Sequence, residues 1–202
     1  MDRVMKIVGA SNHCDDERQI NDFYATDELD VLDFLLSLDR DGLILSNKIW
    51  EVSCGEGNIS RVLESRGHNV RSSDLIDRGY GEKLDFLSID KSDFWDGDIL
   101  TNPPYKGNID IKFVEKALDV VKGGKFVIML FKTIFLASKK RYDLFSKYKP
   151  SYVYTHSKRI KIYKNNDRSG STSNALDYSW FIWQKGVNGD FQNRLVEHRD
   201  WR

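Results

Sequence analysis

Apolar positions along this chain fall into two alternating rhythms, short continuous runs and stretches spaced at three and four residues. The first helical stretch is expected to be capped by Thr26, with Asp27 and Glu28 in its first turn and Leu29, Leu32 and Leu36 on one face. Residues 49–53 read as a short buried strand. Cys54-Gly55-Glu56-Gly57 follows, then a helix carrying Ile59, Val62 and Leu63 and ending at Gly67. A second strand is expected over 69–73, ending at Asp74, and a weaker third near 84–87. Residues 98–101 lead into Asn102-Pro103-Pro104-Tyr105, where the prolines close the strand. An amphipathic helix with Phe113, Val114, Ala117, Leu118 and Val121 then stops at Gly123-Gly124. The most strongly buried strand is expected over 125–131. A basic helix over 139–149, a strand over 151–162, a polar loop over 164–174 and a final strand over 176–183 complete the chain. Strands alternating with helices call for an α/β fold: a doubly wound, mostly parallel sheet with helices on both faces. No helix separates the last two strands, so the last strand should be antiparallel. Residues 1–202 are expected to form a single domain.

Composition narrows the class. With 202 residues, 40% hydrophobic and 12% aromatic, the chain has enough apolar material for a substantial core. The longest unbroken apolar run is 126–131, six residues, too short to span a bilayer. Only a brief apolar stretch precedes Asp15-Asp16-Glu17, so no signal peptide is expected and the reading is a soluble, cytoplasmic protein with no membrane partner. Cys14 and Cys54 stand forty positions apart. His13, His68, His156 and His198 show no metal spacing, so no metal is expected.

Charge adds a second layer. The net charge is zero, yet residues 1–101 carry 11 Lys and Arg against 22 Asp and Glu, and residues 102–202 carry 20 against 9. Within 132–168 the count is 11 basic to 2 acidic. Such a block fits a polyanion or a solvated face equally well on charge alone. Residues 158–168 follow a strand expected to point to the ligand side of the sheet. That makes Lys158, Arg159, Lys161 and Arg168, with Lys139 and Lys140, candidates for phosphate contact.

Two motifs carry the chemistry. Glycines after the first strand let the backbone turn sharply and approach a ligand with no Cβ in the way. Asp74, 19 residues after Gly55, can accept from ribose hydroxyls at the end of the next strand. Ser60 occupies the place of the third Rossmann glycine, and a dinucleotide site or a structural turn would look similar. Asn102-Pro103-Pro104-Tyr105 is more specific, because the chain has only three prolines. An exocyclic amine is a weak nucleophile whose lone pair is delocalised into its ring. The Asn102 side-chain oxygen and the Pro103 carbonyl, held rigidly by the prolines, can accept its N–H groups and favour the attacking geometry. Tyr105 can stack on a base drawn out of its helix.

In this order the two motifs resemble those of class I S-adenosylmethionine-dependent amino-methyltransferases, specifically the DNA adenine-N6 group in its small phage- or prophage-borne form. The resemblance covers most of the chain. It implies S-adenosylmethionine as cofactor and methyl transfer to the N6 amine of adenine, with Asn102, Pro103, Pro104 and Tyr105 as the catalytic motif. Phe23-Tyr24-Ala25-Thr26 is similar to the segment approaching the cofactor's methionine moiety. Glu51, Ser53, Gly55 and Gly57 resemble the glycine motif, and Asp74 the ribose-binding acid. Asp85 and Phe86 resemble the segment holding the cofactor's adenine, and 174–183 the strand closing the target pocket. Val52 stands where the family often has Pro. No insertion is large enough for a separate target-recognition domain, so readout would need a compact loop, a homodimer or a recognition partner. Methylation of RNA guanine-N2 or protein glutamine, or a catalytically silent nucleic-acid-binding module, are the alternatives. Cys54, inside the glycine turn and without a preceding Pro, is a poor candidate nucleophile.

Overall fold

The strand order of the main sheet reverses at one strand, and that reversal places everything that follows. A computed structural model describes residues 23–90, 92, 94–105, 108–137, 139–169, 176–199 and 201. Its elements run β1 (Tyr24–Thr26), α1 (Glu28–Arg40), β2 (Lys48–Glu51), α2 (Asn58–Ser65), β3 (Asn69–Asp74), β4 (Glu82–Lys83), β5 (Asp98–Thr101), α3 (Ile109–Val120), β6 (Phe126–Lys132), α4 (Lys139–Lys147), β7 (Tyr152–His156), β8 (Ile162–Lys164), β9 (Tyr178–Gln184) and β10 (Gln192–Val196). Eight strands form one sheet in the order β10-β7-β9-β6-β5-β2-β3-β4. All its pairings are parallel except those of β9, which runs antiparallel to both β6 and β7. β1 and β8 form a separate antiparallel pair. From β2 the chain proceeds outward to β3 on one side and later returns to β5 on the other. The crevice beyond the carboxyl ends of β2 and β5 is therefore the topological switch point where open α/β sheets bind ligands.

The two faces of the sheet hold two apolar cores. β9 shows how they share one strand: Trp180 and Ile182 point into the core under α1 and α2, and Phe181 and Trp183 into the core under α3. Trp180 stacks on Phe34 of α1 at 4.5 Å, and Trp50 packs edge-on to Phe86 at 5.5 Å. These rings are at most 2% exposed.

The doubly wound architecture and the antiparallel strand agree with the sequence reading, and several local details differ. Asp27, not Thr26, caps α1: its carboxylate accepts the Leu29 N–H at 3.0 Å. Thr26 belongs to β1, where backbone pairing fixes it as extended. The buried apolar stripe of α1 is Val31, Phe34, Leu35 and Leu38, whereas Leu29 is 46% exposed. The leucine spacing was regular, but the aromatic ring buries more area and sets the face. Residues 84–87 are not a strand, since β4 is two residues at 82–83 and Phe86–Ser88 form a 3₁₀ turn capped by Asp85. The expected strand over 151–162 breaks after His156, and its end turns away to pair with β1 instead. β9 is not the last strand, because β10 adds a parallel edge beside β7. No helix among the described residues is long and apolar enough to cross a membrane.

Asp27 also accepts the Tyr163 hydroxyl at 2.8 Å, so it closes both the helix and the β1–β8 pair. Asp27→Ala should lower the unfolding free energy by about 1–2 kcal/mol, the upper range for a lost N-cap. Thr26→Ser should leave it unchanged within about 0.5 kcal/mol, the scale of a mild substitution. Urea unfolding of both variants checks the assignment.

Candidate active site

The turn after β2 can exist only with glycine at two places. Gly55 and Gly57 have φ of 55° and 84°. A Cβ on Gly55 would lie 2.0 Å from the Phe23 ring, and one on Gly57 would lie 2.4 Å from the Tyr80 ring. Each glycine thus meets both a left-handed backbone and an aromatic ring packed against it. Asp74, at the end of β3, braces the turn: its two carboxylate oxygens accept the Gly55 and Ile76 N–H groups, each at 2.9 Å. Every oxygen of that carboxylate keeps a second lone pair for another donor.

Glu51, at the end of β2, is 1% exposed. Its carboxyl accepts the Ser60 hydroxyl, and Ser60 Oγ lies 2.7 Å from Ser72 Oγ. Burial pushes the carboxyl up to about 8, above what the Ser60 hydrogen bonds restore. Ser60 in place of the third glycine therefore has a purpose invisible in the sequence: it supplies the partner for a buried acid. Ser53 is half-buried beside the turn. Cys54 is buried with its sulfur 3.5 Å from the Tyr80 carbonyl, and burial pushes its thiol up to about 12, so it stays protonated and inert.

At the end of β5 the four-residue motif is assembled with its neighbours. Asn102 sends its two amide hydrogens toward β1, with Nδ2 3.1 Å from Thr26 Oγ1 and 3.4 Å from the Tyr24 carbonyl. Those acceptors fix which way the amide faces, leaving Oδ1 as its acceptor end. Oδ1 meets the Tyr105 hydroxyl, which also lies 3.0 Å from the Leu130 carbonyl. One phenolic proton serves only one of these two acceptors at a time. The Tyr105 ring is turned inward, 6.0 Å from Phe131 and 6.5 Å from Tyr178, and burial holds its hydroxyl well above the usual phenol range. Pro103 is buried and Pro104 exposed.

The β1–β8 pair links this motif to the basic segment. Thr26 pairs with Ile162, Ala25 with Tyr163 and Tyr24 with Lys164. Lys158, Arg159 and Lys161 are exposed ahead of β8. Arg168 is otherwise engaged, 2.6 Å from both Glu28 carboxylate oxygens and over the Tyr163 ring at 5.0 Å. Asn166 donates to Glu56 in the glycine turn at 2.7 Å. Lys139 and Lys140 open α4, whose Arg141 pairs with the buried Asp110 at 3.0 Å. The loop over 164–174 lies outside the described residues from 170 onward, as do His13 and Cys14.

Asp85 and Phe86 follow β4 just beyond Asp74, whose carbonyl accepts the Leu84 N–H at 2.8 Å. Phe86 is a core residue between Trp50 and Phe113, and exposed Asp85 spends its carboxylate on the Leu87 N–H at 2.9 Å. Tyr80, whose ring packs against Gly57, is marked in the sequence only as an aromatic between Gly79 and Gly81.

The fold itself recurs in solved structures. No family model and no curated protein sequence matches the chain. A protein from Listeria monocytogenes assigned as a class I S-adenosylmethionine-dependent methyltransferase superposes with a TM-score of 0.58 at 14% identity, covering 86% of this chain and 67% of its own. A protein from Pyrococcus horikoshii assigned as an RNA methyltransferase gives 0.55 at 14%, covering 78% and 83%. The type IIG restriction endonuclease BpuSI gives 0.57 at 15%, covering 81% of this chain and 26% of that one. The chain has the class I methyltransferase fold, with its glycine turn and Asn-Pro-Pro-Tyr segment at the switch point of the sheet.

The acid in the turn makes stability depend on pH. Glu51 keeps its proton in the folded chain up to about pH 8 but loses it near the ordinary 4.5 when unfolded. The native state therefore binds more protons across that window, and stability falls as pH rises through it. Glu51→Gln should flatten this fall between about pH 4.5 and 8 while keeping the acceptor for Ser60. Urea midpoints measured against pH decide it.

Proposed function

We propose that the chain transfers the methyl group of S-adenosylmethionine to the N6 amine of adenine in DNA. The observation that carries this reading is the orientation of Asn102, whose amide hydrogens are taken up by Tyr24 and Thr26 so that Oδ1 remains an acceptor at the mouth of the crevice. An acceptor at that place suits an amine that must lose hydrogen-bonded protons as its lone pair attacks. The likeness to a restriction endonuclease supports a DNA substrate, and the likeness to a protein assigned as an RNA methyltransferase favours RNA amines as the second reading.

The residues present fit the cofactor. Gly55 and Gly57 would let it approach the backbone, and Asp74, with spare lone pairs, would accept from its ribose hydroxyls. Phe23 and Tyr80 would flank the turn. When bound, S-adenosylmethionine supplies an electrophilic methyl group on a sulfonium sulfur, which leaves as a thioether. The chain's own work is to hold the amine. Its N–H groups engage Asn102 Oδ1 and the Pro103 carbonyl, and Oδ1, which has two lone pairs, turns fully to the amine once the Tyr105 hydroxyl leaves it. Freed from that bond, the Tyr105 ring can turn out to face a base. After transfer, the methylated amine's N–H bond that faces the Asn102 oxygen breaks and its surplus proton goes to water. Lys158, Arg159 and Lys161 lie across the β1–β8 pair from this point and serve as phosphate contacts, which position a strand without reading its sequence.

Asn102→Ala should cut methyl transfer at least ~100-fold, on the scale of one lost transition-state hydrogen bond. Cofactor affinity and melting temperature should hardly change. Tritiated cofactor with DNA, RNA and protein, followed by nucleoside analysis, identifies the product. Near-normal methylation by the variant would show the motif wrongly assigned. If four to six phosphates are contacted, log K against log salt should slope at roughly −4 to −5 for duplex DNA. Replacing Lys158, Arg159 and Lys161 together by Ser should flatten that slope by roughly 2–3. Arg168 is left in place because Glu28 already holds it.

A further inference from the structure

Helix α1 buries two aspartates on a flank that its apolar stripe leaves over. Asp30 and Asp33, one turn apart, are 6% and 2% exposed. The segment after β10 brings His198 against them, its side chain 5% exposed. His198 Nδ1 lies 3.0 Å from Asp33 Oδ2 and 3.6 Å from Asp30 Oδ1, and one ligand atom from each of the three residues falls within 4.8 Å of the others.

The opposite atom of each group is already tied down. Asp30 Oδ2 accepts the Lys161 backbone N–H at 2.7 Å, and Asp33 Oδ1 accepts the Trp201 indole N–H at 3.1 Å. His198 Nε2 lies 3.1 Å from His156 Nδ1, and His156 Nε2 accepts the Trp180 indole N–H at 3.0 Å. The outward atoms are thus fixed by supporting hydrogen bonds while the inward atoms converge. Among those inward atoms, buried His198 Nδ1 makes no aligned hydrogen bond despite its closeness to Asp33. Ligands oriented by partners on their far side are the usual construction of a metal centre.

We propose that Asp30, Asp33 and His198 bind one divalent transition-metal ion of the zinc type, which fastens the segment after β10 to α1. Two carboxylates and an imidazole form a mixed N/O donor set that suits such an ion, whereas calcium would take six to eight oxygens. The observed separations of 3.0 and 3.6 Å straddle the ~3.3 Å edge of a tetrahedron with metal–ligand bonds of about 2.0–2.1 Å. Water takes the fourth position.

The competitor is a proton. Trp180 can only donate, so His156 accepts at Nε2 and carries its own proton at Nδ1, which it gives to His198 Nε2. His198 then carries its proton at Nδ1, where the ion would bind. Metal binding therefore shifts the His198 proton to Nε2 and the His156 proton to Nε2, which turns a second N–H donor toward the Trp180 indole N–H and makes the two move apart. The broken hydrogen bond and the two buried donors it leaves unsatisfied still cost less than a structural zinc ion contributes. The broken bond also makes Trp180 a reporter of occupancy.

The test uses the tag-free full chain, stripped with chelator and titrated with Zn²⁺ by calorimetry and with Co²⁺ by visible absorption. One ion per chain at micromolar affinity or tighter is expected, with the intense band of four-coordinate cobalt, altered tryptophan fluorescence and a raised melting temperature. Asp33→Asn and His198→Gln should each weaken binding at least ~100-fold, more than the 10–100-fold of a supporting residue. Trp201→Phe should weaken it by about tenfold. Asp39→Asn, exposed on the same helix, should change nothing. Absence of one-to-one binding by the folded wild-type chain overturns the proposal, whatever the variants do. So does binding that persists in both ligand variants, which would place the ion elsewhere.

Discussion

The position of Asn102 is set from outside its own strand. β5 delivers the residue to the switch point of the sheet, but its two amide hydrogens are received by Thr26 and Tyr24. β1 has no place in the main sheet. It is held by three residue pairs with β8, by the Asp27 N–H on the Lys161 carbonyl at 3.0 Å, and by Tyr163 on Asp27. The orientation of one carboxamide therefore rests on a two-stranded ribbon whose halves are some 140 positions apart in sequence. An isolated two-stranded ribbon is marginal in water. Here the capped end of α1, the Asp30 carboxylate on Lys161, and the Arg168–Glu28 pair supply what the ribbon lacks.

That ribbon also explains which parts of the molecule were legible beforehand. The glycine turn, the Asn-Pro-Pro-Tyr segment and the alternation of buried strands with amphipathic helices are local properties, and each was read where it stands. Long-range pairing leaves no local signature. Nothing in residues 151–162 announces that one end joins the main sheet while the other folds over to β1, because both ends alternate β-branched residues with longer side chains. The same holds for β10, whose sequence Gln-Asn-Arg-Leu-Val has the polarity of an edge and little of a strand. The leucines of α1 misled for a related reason, since helical spacing identifies a stripe but not which of two stripes the sheet covers.

Charge was legible as a total and less so as a surface. The excess of basic residues over 132–168 is real, but Arg141 is spent on buried Asp110 and Arg168 on Glu28. What remains facing outward before β8 is Lys158, Arg159 and Lys161, with Arg159 only loosely near Asp177 at 3.7 Å. A count over a segment thus overstates the field it projects, because arginines with planar forks are readily drawn into structural pairs while lysines stay hydrated. The buried acids follow the opposite rule. Glu51, Asp30 and Asp33 count with the acidic half, yet all three lie inside, where they serve hydrogen bonds and project little field.

The reversed strand β9 has a consequence for the order in which the chain can assemble. It lies between β6 and β7 and, among the described strands, alone touches both, yet it is made later than either. When residues 152–156 leave the ribosome they have no neighbour to pair with, because the seat beside β6 belongs to a strand still to be synthesised. The half of the sheet built on β2, β3, β5 and β6 can condense first, around contacts already in hand. The other half must wait for Trp180 and Trp183 to arrive together and seal both cores at once. Closure of this kind draws on contacts distant in sequence, which slows folding and leaves apolar edges uncovered in the interval. Synthesis of the last quarter of the chain is thus the period when the nascent protein depends most on being shielded from its own kind.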